Sequence, residues 1–283
     1  MIAVNATHIY FILQWIVPDV VLITTPGHLM RVPLAGGKAE RIASLPTGSI
    51  HMTQGLALTS TQAIFIQAPK NGAGHSTIST VALDGGDVTV LATASGIANA
   101  VVVDDDNAYF CDAEGVKAVA LKGGASRTLA SGIVPFSLAV VDETLYFSSA
   151  DSVYSVPTDG GEPVTVSAAS GGRSLIACGA GICWLGGPAL MGTLMQSLPP
   201  NLPVALTSGL RQAHDVVFDG EAYFVAGGFG VISRVPADGG SASVVYSESL
   251  LTHVALEGEC LYWSSETTIS SVALTAAHML VAD

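Results

Sequence analysis

The sequence predicts an all-β protein, a seven-bladed β-propeller built from four-stranded antiparallel blades. Two observations predict it: a repeat of roughly forty residues, and a tight glycine-rich turn within the repeat. Gly-Gly pairs begin at Gly36, Gly85, Gly123, Gly160 and Gly239. Degenerate copies of the turn fall at Pro200 and Ala276, so successive marks lie 49, 38, 37, 40, 39 and 37 residues apart. This period is typical of propeller blades.

Each repeat reads as four strands, A to D, with the glycine-rich turn between C and D. Glycine suits that turn because it adopts positive φ without strain. A bulky residue marks strand B in every repeat, at Tyr10, Phe65, Tyr109, Tyr146, Cys183, Tyr223 and Tyr262. The blades are therefore predicted over residues 1–47, 48–96, 97–132, 133–170, 171–209, 210–248 and 249–283 of a single domain.

Composition supports many short strands buried on both faces. Of the 283 residues, 49% are hydrophobic, 12% are charged and 31 are glycine. The net charge of -13, with only ten Lys and Arg residues, provides no basic surface for phosphates, so we expect no nucleic-acid partner.

The apolar segment Met1 to Ile23 has no positive flank and is interpreted as the first blade, so we expect no membrane partner. The expected location is cytoplasmic for the sequence as given, or extracellular or periplasmic if a leader was removed.

The four cysteines do not form a CxxC pair, which argues against a zinc ribbon. Cys178 and Cys183 flank a hairpin that turns at Ala180 and Gly181. A cross-strand disulfide there is one alternative, and two buried thiols are the state we expect.

The motifs ETLYF, CLYW and DGG resemble those of the YWTD and NHL-like seven-bladed propeller superfamily and of related bacterial propellers. The resemblance covers the whole chain, although the YWTD tetrad itself appears only as LYWS at Leu261 to Ser264. It implies the fold but not one function, since such propellers serve as receptors, scaffolds, sugar binders, lyases and hydrolases. Streptogramin lyases, which use a His and Glu cluster with magnesium, offer the closest enzymatic analogy. This sequence has no matching motif with the required Glu.

The lengths of the predicted loops indicate which end of the blades carries a binding site. The predicted B to C connections of the first two blades are long, spanning about residues 12–26 and 67–74. Long loops tend to carry binding residues. Trp15, in the first of these loops, is the expected platform for a flat ligand.

A sharper candidate site comes from the start of strand A, nine residues before each strand B mark. His214 and His253 occupy that place in adjacent blades six and seven. We expect them to lie at one structural position at the mouth of the propeller channel. His51 lies in a neighbouring loop, and the residues flanking the pair are Arg173, Arg211 and Asp215.

Three interpretations of this cluster stay open. His214 and His253 could act as general acid and base, with Arg173 or Arg211 holding an anionic group of the substrate. Alternatively they could bind a divalent metal ion, with His51 or Asp215 as a third ligand. They could also be hydrogen-bonded polar residues in a solvated channel.

From the first two interpretations we expect a small-molecule enzyme of the lyase, cyclase or hydrolase type. No cofactor is expected beyond the metal ion. The alternative is a noncatalytic propeller that binds a small ligand or a protein partner.

Overall fold

A computed structural model describes residues 1–13, 26–47, 54–67, 69, 74–168, 172–188, 190–228, 230–248, 251–265 and 268–274. These residues form seven consecutive antiparallel sheets. Six sheets have four strands, and the seventh has three within the described residues. The predicted all-β class and the predicted order of strands within a blade are both confirmed. Among the described residues, no helix is long and apolar enough to cross a membrane.

The strands of the first three blades run as follows. Blade one contains β1 (Ile2–Val4), β2 (His8–Leu13), β3 (Pro26–Pro33) and β4 (Glu40–Thr47). Blade two contains β5 (Leu56–Leu58), β6 (Gln62–Gln67), β7 (Thr77–Ala82) and β8 (Thr89–Thr93). Blade three contains β9 (Ala100–Val103), β10 (Asn107–Asp112), β11 (Gly115–Ala120) and β12 (Arg127–Ser131).

The remaining blades continue the pattern. Blade four contains β13 (Ser137–Val141), β14 (Thr144–Ser148), β15 (Val153–Pro157) and β16 (Val164–Ser167). Blade five contains β17 (Arg173–Cys178), β18 (Gly181–Gly186), β19 (Met191–Ser197) and β20 (Val204–Arg211). Blade six contains β21 (Asp215–Phe218), β22 (Ala222–Gly227), β23 (Val231–Pro236) and β24 (Ser243–Ser247). Blade seven contains β25 (His253–Glu257), β26 (Cys260–Ser264) and β27 (Ile269–Ala273).

The chain divides into two compact units. The first contains Met1–Leu138 and Val156–Glu162, and the second contains Ala139–Ser155 and Pro163–Asp283. Within each unit the hydrophobic clusters lie between successive blades. In the first unit, Phe65 of blade two packs in a cluster with blade one, whereas its neighbours Ile64 and Ile66 pack in a cluster with blade three. Both faces of the blade are therefore buried, which accounts for the near-continuous apolar strands.

A β-bulge recurs between the third and fourth strands of all six blades whose fourth strand is described. A bulge adds one residue to a strand and increases its local twist. The residue that follows the bulge on the third strand varies widely in size: Met30, Ser79, Lys117, Tyr154, Met195 and Ser233.

Two of the glycine-rich turns, at Gly85 and Gly239, pack against the fourth strand of the preceding blade. A side chain added at Gly85 would lie 3.1 Å from the carbonyl oxygen of Ile42, and one added at Gly239 would lie 2.7 Å from that of Leu206. The amide of Gly240 also donates to the Leu206 carbonyl at 3.0 Å. Glycine is needed at such turns both for positive φ and for this close approach.

We expect Gly239→Ala to destabilise the fold more than Gly123→Ala. The two glycines have similar φ values, +90° and +84°, so each substitution introduces backbone strain of about 1–2 kcal/mol. Only Gly239 faces a backbone atom, because Gly123 has no heavy atom within 4 Å of the added carbon. Urea unfolding should show an additional loss of about 1 kcal/mol or more for Gly239→Ala. Equal losses would contradict the close packing of the turn.

In blades two and six, the strand A and strand B residues that occupy equivalent structural positions lie one residue away from those that the sequence repeat predicted. In blade six the amide of His214 donates to the Ala226 carbonyl, and in blade seven the amide of Thr252 donates to the Ser264 carbonyl. His214 is thus equivalent to Thr252, and Asp215 is equivalent to His253. The expectation that His214 and His253 share one structural position is wrong. The reason is that both faces of a blade are buried, so the bulky strand B residue fits either face and does not fix the register.

Cys178 and Cys183 form a disulfide in blade five, with their Cα atoms 5.9 Å apart. The expectation of two thiols is therefore wrong. The pair is not directly opposed: Cys183 pairs with Ile176, and Cys178 pairs with Gly181. Both side chains are buried against the core that contains Tyr223. The two cysteines are not opposite each other in the pairing of β17 and β18. Their spacing in the sequence was therefore compatible with a disulfide and with two free thiols.

Protein purified without reductant should contain two titratable thiols after denaturation, Cys111 and Cys260. In the native state we expect only the partly exposed Cys260 to react with a thiol reagent. Cys111 is fully buried, and burial raises its pKa to about 12, so it lacks reactive thiolate. The variant Cys183→Ser should yield one more thiol than the parent in denaturant. Four thiols in the unreduced, denatured parent would contradict the disulfide.

Candidate functional site

Three polar residues occupy the same place at the start of the first strands of blades five, six and seven. Arg173 begins β17 and pairs with Leu185, Asp215 begins β21 and pairs with Ala226, and His253 begins β25 and pairs with Ser264. In the second unit these first strands lie side by side, β17 next to β21 and β21 next to β25. We call these three residues, with Ser174 and His214 beside them, the first-strand cluster.

Asp215 links the three blades. Its Oδ1 accepts hydrogen bonds from Ser174 Oγ at 2.8 Å and from its neighbour's amide, Val216 N, at 3.0 Å. Its Oδ2 accepts from Val254 N at 3.1 Å. Burial raises the pKa of the Asp215 carboxyl, and these three hydrogen bonds act in the opposite direction. Both carboxylate oxygens are thus already engaged by protein donors.

The conformation of Ser174 positions one of those donors. Ser174 is the extra residue where the register of β17 and β18 shifts, and its φ is +48°. A left-handed serine is uncommon and usually marks a specific local requirement. Here it directs the hydroxyl to Asp215, across to the next blade.

Arg173 has an unsatisfied donor, and His214 is the exposed member of the cluster. The Nη2 atom of Arg173 is buried and has no hydrogen-bond partner within the described residues. His214 is exposed, and its Nδ1 lies 3.1 Å from the carbonyl oxygen of Gln212. Within the described residues, the Arg173 guanidinium of this cluster forms no ion pair with Asp215.

The other sequence-predicted residues lie elsewhere. Arg211 ends β20 and lines a cleft between blades five and six, rather than the start of a first strand. Trp15 and His51 are outside the residues that the structure describes. Within the described ranges, no group of three His, Cys, Asp or Glu side chains could hold a metal ion. A metal set that includes His51 therefore stays a prediction, and Asp215 fits it poorly because its oxygens already accept three hydrogen bonds.

Sequence reasoning missed a counterpart of Asp215 in the first unit. Gln54 Oε1 accepts from Ser137 Oγ at 2.7 Å and from Leu138 N at 3.0 Å, and the Gln54 carbonyl accepts from Val101 N at 2.7 Å. First strands expose one unpaired edge, and its amides need acceptors. Gln54 and Asp215 supply them. No pattern in the sequence signals this role, because the partners in other blades are more than thirty residues away.

The cleft between blades five and six has a volume of about 810 Å³. Its floor contains the buried side chains of Leu210, Ala213 and Val225. Its walls come from β20, β22, β23, β24 and the turn between β23 and β24, and they contain four hydroxyl groups: Thr207, Ser208, Ser233 and Ser241. We call it the blade 5/6 cleft.

Comparison with known proteins bears on the fold alone. No protein-family model matches the chain, and no curated protein has a significantly similar sequence. Among solved structures, virginiamycin B lyase from Staphylococcus aureus is similar with a TM-score of 0.70 and 12% identity, over 95% of this chain and 92% of that chain. A structure of a catalytically inactive histidine-to-alanine variant of that lyase with quinupristin has a TM-score of 0.66 and 11% identity, over 93% and 98%.

Two further similar structures are assemblies with proteins or peptides. YCF48 bound to D1 peptide has a TM-score of 0.64 and 11% identity, over 94% of this chain and 97% of that chain. The nidogen/laminin complex has a TM-score of 0.57 and 18% identity, over 76% and 88%. This chain is a seven-bladed β-propeller.

We expect Asp215→Ala to lower the free energy of unfolding by about 2–4 kcal/mol, since it leaves the donors of Ser174, Val216 and Val254 without an acceptor. Ser174→Ala removes one of these hydrogen bonds and should cost about 1 kcal/mol. Urea unfolding of both variants and of the double variant measures the coupling. If Asp215→Ala costs no more than Ser174→Ala, Asp215 does not link the three blades.

Proposed function

We propose that this propeller is a small-molecule enzyme of the lyase type that acts at the first-strand cluster. The observation that carries the proposal is that Arg173, Asp215 and His253 begin three successive first strands, with the exposed His214 beside them. The cation and the two imidazoles provide groups for binding and proton transfer, and the Asp215 carboxylate holds the strands that carry them.

Arg173 would hold an anionic group of the substrate. A guanidinium stays charged in proteins and offers planar pairs of N–H donors that match a carboxylate or a phosphate. The buried Nη2 has no acceptor within the described residues, so a substrate oxygen would relieve the cost of an unsatisfied donor.

His214 would remove a proton from the substrate. If Nδ1 carries the ring proton, it donates to the Gln212 carbonyl, and this tautomer leaves Nε2 as a proton acceptor. His253 would donate a proton to the leaving group. One elimination step would therefore remove one proton from the substrate and deliver one proton to the leaving group. Asp215 would be a positioning residue, because its oxygens serve the protein. No step is assigned to a metal ion.

The similarity to virginiamycin B lyase supports the reaction type only as a hypothesis. That enzyme is inactivated by replacement of one histidine, and the two chains share only 12% identity. The substrate class follows from Arg173 and the histidines of this chain rather than from that neighbour.

The test is the double variant His214→Ala/His253→Ala. Wild-type protein is incubated with a pool of anionic small molecules, and mass spectrometry identifies the compounds that it consumes. We expect the double variant to consume them at least about 100-fold more slowly, with a melting temperature close to that of the wild type. Arg173→Gln should raise KM for these anionic compounds.

The matched control is His8→Ala, which removes a histidine from β2 in the first unit and should leave turnover unchanged. Wild-type turnover in the double variant would exclude the two histidines as the acid and base. If the wild type consumes nothing, the enzyme proposal fails and the alternative below is favoured.

The second candidate is a noncatalytic propeller that binds a ligand or a protein. The blade 5/6 cleft favours it, since it lies outside the first-strand cluster and is large enough for a ligand. A protein or peptide partner also accords with the assemblies formed by YCF48 and nidogen. In this case binding would survive in the double histidine variant.

We also propose that the protein works in an oxidising compartment, outside the cytoplasm. The buried disulfide Cys178–Cys183 supports this location, because disulfides rarely persist in the cytosol. Expression in an oxidising and in a reducing compartment, followed by thiol counting, compares the two alternatives directly.

A further inference from the structure

We propose that the blade 5/6 cleft binds the C-terminal segment of an extended peptide, with the terminal carboxylate at Arg211. The inference goes beyond the proposed enzyme function, since the cleft shares no residue with the first-strand cluster.

One residue that lines the cleft, Ser233, is the small residue that follows the recurrent bulge in blade six. In blade five the equivalent residue is Met195, which packs between blades four and five against the cluster containing Tyr146 and Trp184. In blade six it is Ser233, which lines the cleft toward blade five. A methionine-sized side chain at Ser233 would therefore fill the space.

The shape of the cleft suits an extended chain. One wall follows β20 from Thr207 to Arg211, a length of about 13 Å at 3.3 Å per residue. An extended peptide of about four residues fits along it. The register of β20 shifts at two places, and the extra residue Gly209 has a φ of +77°. These bulges turn the strand locally, as bulges commonly do beside binding sites.

The lining matches a peptide better than a hydrocarbon. Peptide groups need hydrogen-bond partners when they leave water, and the hydroxyls of Thr207, Ser208, Ser233 and Ser241 offer donors and acceptors along the walls. The apolar floor at Leu210 and Val225 would contact apolar side chains. The hydrocarbon chain of a fatty acid could not form hydrogen bonds with the hydroxyl groups of the walls.

Arg211 places a positive charge at one end of the cleft. Among the lining residues that the structure describes, it is the one charged residue, and it lies at the end of β20, in a chain of net charge -13. A carboxylate placed there meets a cation with several donors. Gly228 holds this end in place, because its amide donates to the Arg211 carbonyl at 2.9 Å. A free C-terminus supplies a carboxylate whatever the peptide sequence.

The experiment uses the whole protein and two peptide pools. One pool contains N-acetylated tetrapeptides with free C-termini, and the other contains the same peptides amidated. Affinity selection with mass spectrometry identifies the peptides retained. We expect the wild type to enrich free acids with apolar side chains, and to retain the matching amides at least about tenfold less.

Two variants test the site. Ser233→Met copies the residue of blade five and should abolish retention. Should it destabilise the fold, Ser241→Tyr at the exposed rim blocks the same cleft without touching the core. Arg211→Gln should weaken the free acids about tenfold and leave the amides unchanged. The control Ser247→Met changes an exposed residue of β24 outside the lining and should behave as the wild type.

Retention by folded Ser233→Met equal to that of the wild type would overturn the proposal, as would a wild type that enriches no peptide. Equal enrichment of acids and amides would overturn the role of Arg211. Because His214→Ala/His253→Ala leaves the lining intact, its peptide retention should be normal, so failure of the enzyme proposal and failure of this one are distinguishable.

Discussion

Burial of both faces of each four-stranded sheet is the constraint on which the rest of this structure depends. A blade with two buried faces needs apolar residues at successive positions, as at Ile64, Phe65 and Ile66, which pack toward opposite neighbours. It also needs its turns to fit closely against the preceding blade, which is why Gly239 lies against Leu206. The glycine-rich turns and the bulky strands that make the repeat visible in the sequence are two results of this one requirement.

The same constraint creates the candidate sites. The first strand of each blade has one edge without a paired strand, and its amides need acceptors. Asp215 and Gln54 meet that need in the two units, and in meeting it Asp215 places its carboxylate between Ser174 of blade five and Val254 of blade seven. The blade 5/6 cleft lies between the outer strands of blades five and six. There Ser233 replaces the larger side chains found at the equivalent place in blades four and five, Tyr154 and Met195.

The two sites differ in chemistry and in what they require of a ligand. The first-strand cluster has few groups, held rigidly by strands and by the hydrogen bonds of Asp215, and suits proton transfer on a small anionic molecule. The blade 5/6 cleft is longer and lined by hydroxyls with one cation at its end. The segment from Arg211 to His214 connects the end of the cleft to the cluster, so the two sites share a loop but no lining residue.

The sequence by itself determined the fold class, the number of repeats, the position of the glycine-rich turns and the region of blades five to seven where polar residues begin the first strands. It determined these because turn chemistry and repeat length are local properties of the chain. Only the tertiary structure decided that Asp215, rather than His214, is equivalent to His253, that Cys178 and Cys183 are joined, and that Arg211 lines a cleft. Register, pairing and cleft volume depend on neighbours distant in sequence, and a strand buried on both faces shows no alternation from which its register could be read.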